Sequence, residues 1–246
     1  MDFSTIFGVG AFVGLVVLGV ATGQLSSSLV NLHAVFVVMG GCLVAMLINT
    51  PLRYLIKAVT ELKTLLLDDE SARVNKTITI MTALAEQCRI KGLSALKDAD
   101  PVVAKGFLSR AAMAALEYNE YNFVKQVMEQ EINQAADETN EVANVYRTMS
   151  VLMPMFGLLG TLIGIIAVLR DLSNPENVGP AMGVAITSAF YGIFMANIVC
   201  VPIAGKIRTR ILQDVRLKSM ILDGVLEIMK GSIPMVVERR LQSYIG

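Results

Sequence analysis

Residues 154–169 read PMFGLLGTLIGIIAVL, an apolar run that carries one proline, three glycines and one threonine. No Asp, Glu, Lys or Arg falls between Arg147 and Arg170, and the same holds between Glu176 and Lys206. A spanning helix needs about 20 consecutive apolar residues, so each of these windows holds one span. A third charge-free window, from Asp2 to Arg53, is long enough for two. They are read as about Ile6 to Thr22, a retained helix and not a signal peptide, and VNLHAVFVVMGGCLVAMLI at 30–48. The chain has 246 residues, 54% hydrophobic and 17% charged, where a soluble domain has about a quarter charged. It reads as an all-α membrane protein with four transmembrane helices.

Basic residues set the orientation, because short cytoplasmic loops collect Lys and Arg. Of 21 such residues, 12 lie from Arg53 to Arg147 and eight from Lys206 onward. The connector TGQLSSS has none, and the one after Leu169 has Arg170 alone. Both termini and the long middle segment are therefore expected in the cytoplasm. The expected organisation is spans 1 and 2 in 1–52 and a cytoplasmic helical domain in 53–147. Spans 3 and 4 follow in 148–205, then cytoplasmic C-terminal helices in 206–246.

The middle segment is helical by pattern. Ile78, Met81, Leu84 and Ala85 share one helix face, Gly92 and DADP interrupt, and residues 107–149 run without Pro or Gly into the third span. One long helix is expected there. The tail shows two amphipathic pieces broken at GSIP, expected to pack on the middle segment.

Little points to catalysis. The chain has one histidine and no phosphate-loop, zinc-protease or nucleophile-elbow motif. Asp68, Asp69 and Glu70 fall on an expected surface turn, and Cys42, Cys88 and Cys200 have no metal or disulfide spacing. Net charge is zero, so no basic surplus points to nucleic acid. Ionisable groups inside membranes mark ion pathways, and here only His33 qualifies, near a span end where an interfacial or packed imidazole is the plainer reading. If ions pass this protein, the charged ligand must come from another chain.

Gly157, Gly160 and Gly164 recur at i, i+3 and i+7 on one helix face. Pro154 leaves the carbonyl of Ser150 without its helical donor. Thr161 is in reach of the i−4 carbonyl, that of Gly157. Two readings stand side by side: a helix-packing groove with a self-satisfied threonine, or a smooth face against a partner helix with Thr161 as a neutral oxygen ligand. Hard cations such as Na+ prefer oxygen. The fourth span repeats the theme with Thr187, Ser188, Tyr191, Gly192, Asn197 and Pro202. Uncharged polar residues in consecutive spans favour a shared interface.

Several segments, in order, carry a family resemblance: MDFSTIFG, VVMGG, CRIKG, PMFGLLGTLIGI, NPENVGPAMGVAITSAFYG, VPIAGKI and a tail of the form P-x-x-x-E-x-x-L. With these the sequence resembles the MotA/PomA family, the A subunits of bacterial flagellar stators, related more distantly to TolQ and ExbB. The resemblance implies a homopentamer around the single spans of a dimer of MotB- or PomB-like subunits in the bacterial inner membrane. The B subunit brings the membrane aspartate. Ion passage then turns the A ring, and the cytoplasmic domain drives the rotor C-ring. No cofactor or enzymatic step is implied beyond the transported Na+ or H+.

By the same resemblance, Pro154 and Pro202 match the family's two functional prolines, and Thr161 matches a threonine typical of sodium-driven members. Arg89 matches the basic residue that engages the rotor, with Lys91, Lys97 and Asp98 beside it. Two positions depart. The family's fourth-span threonine falls on Ala189, one residue after Ser188, about 100° of helix rotation away. Lys97 stands where the family usually has glutamate. Na+ is favoured over H+ on Thr161. The alternative is a TolQ/ExbB-like unit energising envelope transport or another motility system; TolQ/ExbB members usually have three spans, against the two spans before Arg53 here. A passive scaffold, with the glycines serving packing only, is a third.

Overall fold

The computed structural model describes residues 31–62, 70–170, 173 and 175–245, with positions 7, 8, 10, 11, 14, 18 and 22 besides. The expected first span lies largely outside these residues, as do Asp68 and Asp69. Among the described residues the chain is helical and has no strand. Its helices are α1 (Leu32–Asn49), α2 (Leu52–Leu62), α3 (Glu70–Lys91), α4 (Phe107–Tyr118), α5 (Tyr121–Arg170), α6 (Pro175–Phe194), α7 (Val201–Met229) and α8 (Pro234–Gln242). Among the described residues, three stretches are long and apolar enough to cross a membrane: Leu32–Asn49, Tyr121–Arg170 and Val178–Met229.

Two compact units form. One comprises residues up to Asp68 with Glu141–Ile207, the other Asp69–Asn140 with Arg208–Gly246. α5 and α7 contribute to both, and α2 belongs to the first, with the apolar helices.

In the first unit, Asn31 opens α1 by accepting hydrogen bonds from the backbone N–H groups of His33 (3.1 Å) and Ala34 (3.3 Å), two donors a helix start otherwise leaves unmet. His33 itself is exposed. α1 stops at Thr50, which is extended (φ −127°, ψ 131°) ahead of Pro51, since a residue before proline is pushed out of the helical region. α2 is strongly amphipathic. Its Ala58 is buried, and the Tyr146 hydroxyl donates to the Ala58 carbonyl at 2.9 Å, pinning α2 to α5.

The second unit has its own apolar core. Ile78, Met81, Leu84 and Ala85 all point into it, as their spacing predicts, and meet Phe107 and Leu108 of α4, Met128 of α5 and Ile221 of α7. α8 docks on the same core through Val237 and Leu241. α7 ends where Gly231 (φ 78°) turns the chain. The Gly231 N–H donates to Ile228 and the Ser232 N–H to Glu227, closing a Schellman motif before Pro234. The break expected at GSIP is thus there.

One element differs from expectation. Residues 107–149 are not a single helix: Asn119 adopts a left-handed conformation (φ 49°) and ends α4, and α5 starts at Tyr121. Asn tolerates that conformation because its short side chain bonds locally. Tyr118 and Phe123 close the corner edge to face at 4.7 Å. All three cysteines are free and buried, and burial pushes the Cys88 thiol above its ordinary value, away from the reactive thiolate.

Candidate ion-path and coupling site

Small residues let α5 and α6 touch backbone to backbone. A Cβ added at Gly157 would stand 2.9 Å from the Ser188 carbonyl oxygen. One at Gly164 would meet the Ala181 carbonyl at 2.8 Å, and one at Gly192 the Met153 carbonyl at 2.6 Å. At Gly160 it would run into the Ser188 side chain. The glycine face of the third span is therefore occupied by the fourth span of the same chain, not turned to a partner helix. Glycines on facing helices permit this approach. On another face, Gly41 of α1 gives way to the ring of Phe156.

The hydroxyls of Thr161, Thr187 and Ser188 separate by burial. Ser188 is fully buried and donates to the Val184 carbonyl at 2.7 Å, and Thr187, 4% exposed, donates to that of Gly183 at 2.7 Å. Both are spent within α6. Thr161 is half-buried and donates to the Leu158 carbonyl at 2.6 Å. The partner is i−3, not the expected i−4 carbonyl of Gly157; threonine's two helical rotamers reach either. A hydroxyl that donates once still has lone pairs for a cation, and Thr161 is the one of the three that keeps them accessible. Ala189 and Tyr191 are half-buried, the former packed by its Cα against Gly157.

Pro154 sits inside α5, half-buried, and Ser150 one turn before it donates its hydroxyl to the Arg147 carbonyl at 2.7 Å. Pro202 is exposed near the start of α7. Immediately upstream, Met195–Cys200 is wound as a π-helix, and Phe36–Gly40 in α1 is a second. Such wide turns are uncommon and recur at functional sites. Sequence reading missed both, and Pro202, whose ring opposes the carbonyl four residues back, was the available signal for the first. It also missed Asn31 and Tyr146.

At the second unit's surface, Arg89 and Lys91 end α3, Gly92 (φ 77°) turns the chain, and Lys97 and Asp98 close the 3-10 turn Leu93–Asp98. Cys88, Ala95 and Leu96 anchor this corner in the core and leave all four charged residues exposed, around an Ile90 that is 74% exposed. None of the four makes an ion pair among the described residues. No cluster of three or more His, Cys, Asp or Glu that could hold a metal occurs among those residues.

Comparison with known proteins adds the rest. The MotA/TolQ/ExbB proton channel family matches residues 97–220. Motility protein A of Bacillus subtilis is 28% identical over all of this chain and 91% of its own length. Chemotaxis protein PomA of Vibrio alginolyticus is 24% identical over all of this chain and 96% of its own. The flagellar MotAB stator complex from Bacillus subtilis contains a chain that superposes with a TM-score of 0.86 at 25% identity, covering 100% of this chain and 96% of that one.

Proposed function

The chain belongs to the MotA/TolQ/ExbB proton channel family, and from that premise we propose that it is the A subunit of a flagellar stator, converting inward ion flow into torque on the rotor. Five copies surround a dimer of a MotB/PomB-like subunit in the bacterial inner membrane, with both termini in the cytoplasm. The observation that carries the reading is an apolar membrane portion with no carboxylate or ammonium group of its own. Intramembrane ionisable groups mark ion pathways, and a B-type subunit supplies one. Full-length likeness to motility proteins and to a chain of a stator complex favours this over an envelope-transport unit.

The α5–α6 pair is the wall of the ion path. Thr161 offers an accessible hydroxyl oxygen beside the partner's carboxylate, and Thr187, Ser188, Ala189 and Tyr191 lie on the helix packed against it. Pro154 and Pro202 couple ion passage to movement of the helices they interrupt. Arg89, Lys91, Lys97 and Asp98 meet the rotor C-ring, and their net positive charge calls for an acidic patch there. Na+ is the coupling ion favoured over H+, because a neutral oxygen ligand suits a hard cation. Rotation of tethered cells, measured while Na+ is varied at fixed pH, tests the ion: speed rises with Na+, and Thr161→Ala lowers that dependence without loss of assembly. A speed indifferent to Na+ sinks the sodium reading. Chain purified with its B subunit has the mass of five A and two B copies; a stable monomer overturns the stator reading.

A further inference from the structure

The second unit holds a concave pocket of about 270 Å³ that the motor reading leaves unused. α3 brings Arg73 and Lys76 to it, the turn after Asp100 brings Lys105, and α7 brings Lys218. Two carboxylates, Asp100 and Asp214, share the rim. Asp100 is already engaged, accepting the Val102 N–H at 2.8 Å. Lys76, Lys105 and Lys218 make no ion pair among the described residues. Three ammonium groups around one concavity focus a positive field there and raise the local concentration of anions. Ile80 and Leu217 supply an apolar wall between the charges.

The presentation of Lys105 is built. Ala104 (φ 49°, ψ 43°), Lys105 (φ 57°, ψ 39°) and Gly106 (φ 84°, ψ 3°) are left-handed in succession. A left-handed residue other than glycine is sterically disfavoured, and such strain persists only where the surroundings hold it. The holder is Arg110, whose guanidinium donates to the Lys105 carbonyl at 3.3 Å and is braced by Glu131 at 2.7 Å.

We propose that this pocket binds a phosphomonoester with a small apolar body, the phosphate held by Lys76, Lys105 and Lys218 and the body laid on Ile80 and Leu217. A phosphomonoester carries about −1.5 to −2 charges at neutral pH, and three lysine ammonium groups face it in the pocket. The apolar wall distinguishes it from a bare inorganic anion. The site lies within one unit of the chain and stands or falls separately from the stator reading.

Phenyl phosphate is the probe, titrated by calorimetry into the full chain in phosphatidylcholine nanodiscs, with phenol and inorganic phosphate as comparators. Phenyl phosphate binds saturably and more weakly as salt rises, with phenol and phosphate each weaker by about tenfold or more. Lys105→Gly is the decisive variant, because glycine relaxes the left-handed turn: it keeps or raises the melting temperature while lowering affinity by about tenfold. Lys125→Ala, outside the pocket, leaves affinity unchanged. Discs that also contain phosphatidate identify the source of the natural ligand. A lower apparent affinity there, erased by Lys105→Gly, places the phosphomonoester in a lipid headgroup, and no change places it in a soluble molecule. Absence of saturable binding up to ~10 mM, phenol binding as well as phenyl phosphate, or unchanged affinity in Lys105→Gly overturns the proposal.

Discussion

Gly164 shows what a single missing side chain does here. The nearest atoms to an added Cβ are the Ala185 side chain at 2.6 Å and the Ala181 carbonyl and Ala185 amide at 2.8 Å. Two of those are backbone and cannot swing aside. Gly164→Val should therefore force α5 and α6 apart, at the roughly 1–3 kcal/mol typical of overpacking. The check is a lower thermal midpoint of the purified protein in detergent, whereas Leu162→Val, on a side chain that is 51% exposed, leaves it nearly unchanged. The glycine spacing was readable from sequence, because i, i+3 and i+7 fix a common face whatever surrounds the helix. The occupant of that face was not. A stripe of small residues says that something comes close, and the pattern is the same whether the neighbour belongs to this chain or another. The same limit applies to Thr161, whose hydroxyl was expected to bond within the helix; that its partner would be Leu158 depended on a rotamer no sequence pattern encodes.

Elements were legible where periodicity ran long, and obscure where one residue changed the backbone. The core face of α3 followed from four apolar positions, and the break at GSIP from glycine and proline. Asn119 gave no such warning, since asparagine is equally at home in a solvated helix face, and the left-handed turn at Ala104 and Lys105 opposes the preference of both residues. That opposition makes a prediction. Glycine adopts a φ of 49° without the clash alanine suffers there, so Ala104→Gly should raise stability by roughly 0.5–1 kcal/mol, seen as a higher urea midpoint with an unchanged slope. The motif ending α7 predicts a pH dependence. The Lys230 ammonium, hydrogen-bonded to Glu227 at 2.9 Å, and the Ser232 hydroxyl at 2.8 Å hold the Glu227 carboxyl below the usual carboxylate range. A carboxyl depressed on folding stabilises the fold above its ordinary pKa, and that share is lost as pH falls through the lowered value. Glu227→Gln should accordingly melt lower at pH 7, by about 2–4 °C, and the gap from the parent protein should close as pH drops below about 4. A gap that persists in acid would mean that packing of the side chain, not its charge, supports the end of α7.

The whole molecule divides its chemistry as it divides its contacts. Nearly all the charge lies in the second unit and at the ends of the apolar helices, and the charge-free windows of α1, α5 and α6 contain hydroxyls, glycines and two prolines, Pro154 and Pro180, but no carboxylate. Moving a bare cation through hydrocarbon is opposed by tens of kcal/mol of lost hydration. Neutral oxygens that are already hydrogen-bonded offset little of it, and of Thr161, Thr187 and Ser188 the last two are buried. The chain by itself should therefore be tight to ions, however it assembles. Reconstituted alone in liposomes with an imposed Na+ or proton gradient and a trapped indicator dye, it should conduct no faster than protein-free vesicles. Adding the B-type subunit should open a flux, and replacing the membrane carboxylate of that subunit by its amide should close it again while the complex stays intact. Flux through this chain alone would show that its own oxygens suffice to carry the ion, and the division of labour between two kinds of subunit would have to be abandoned.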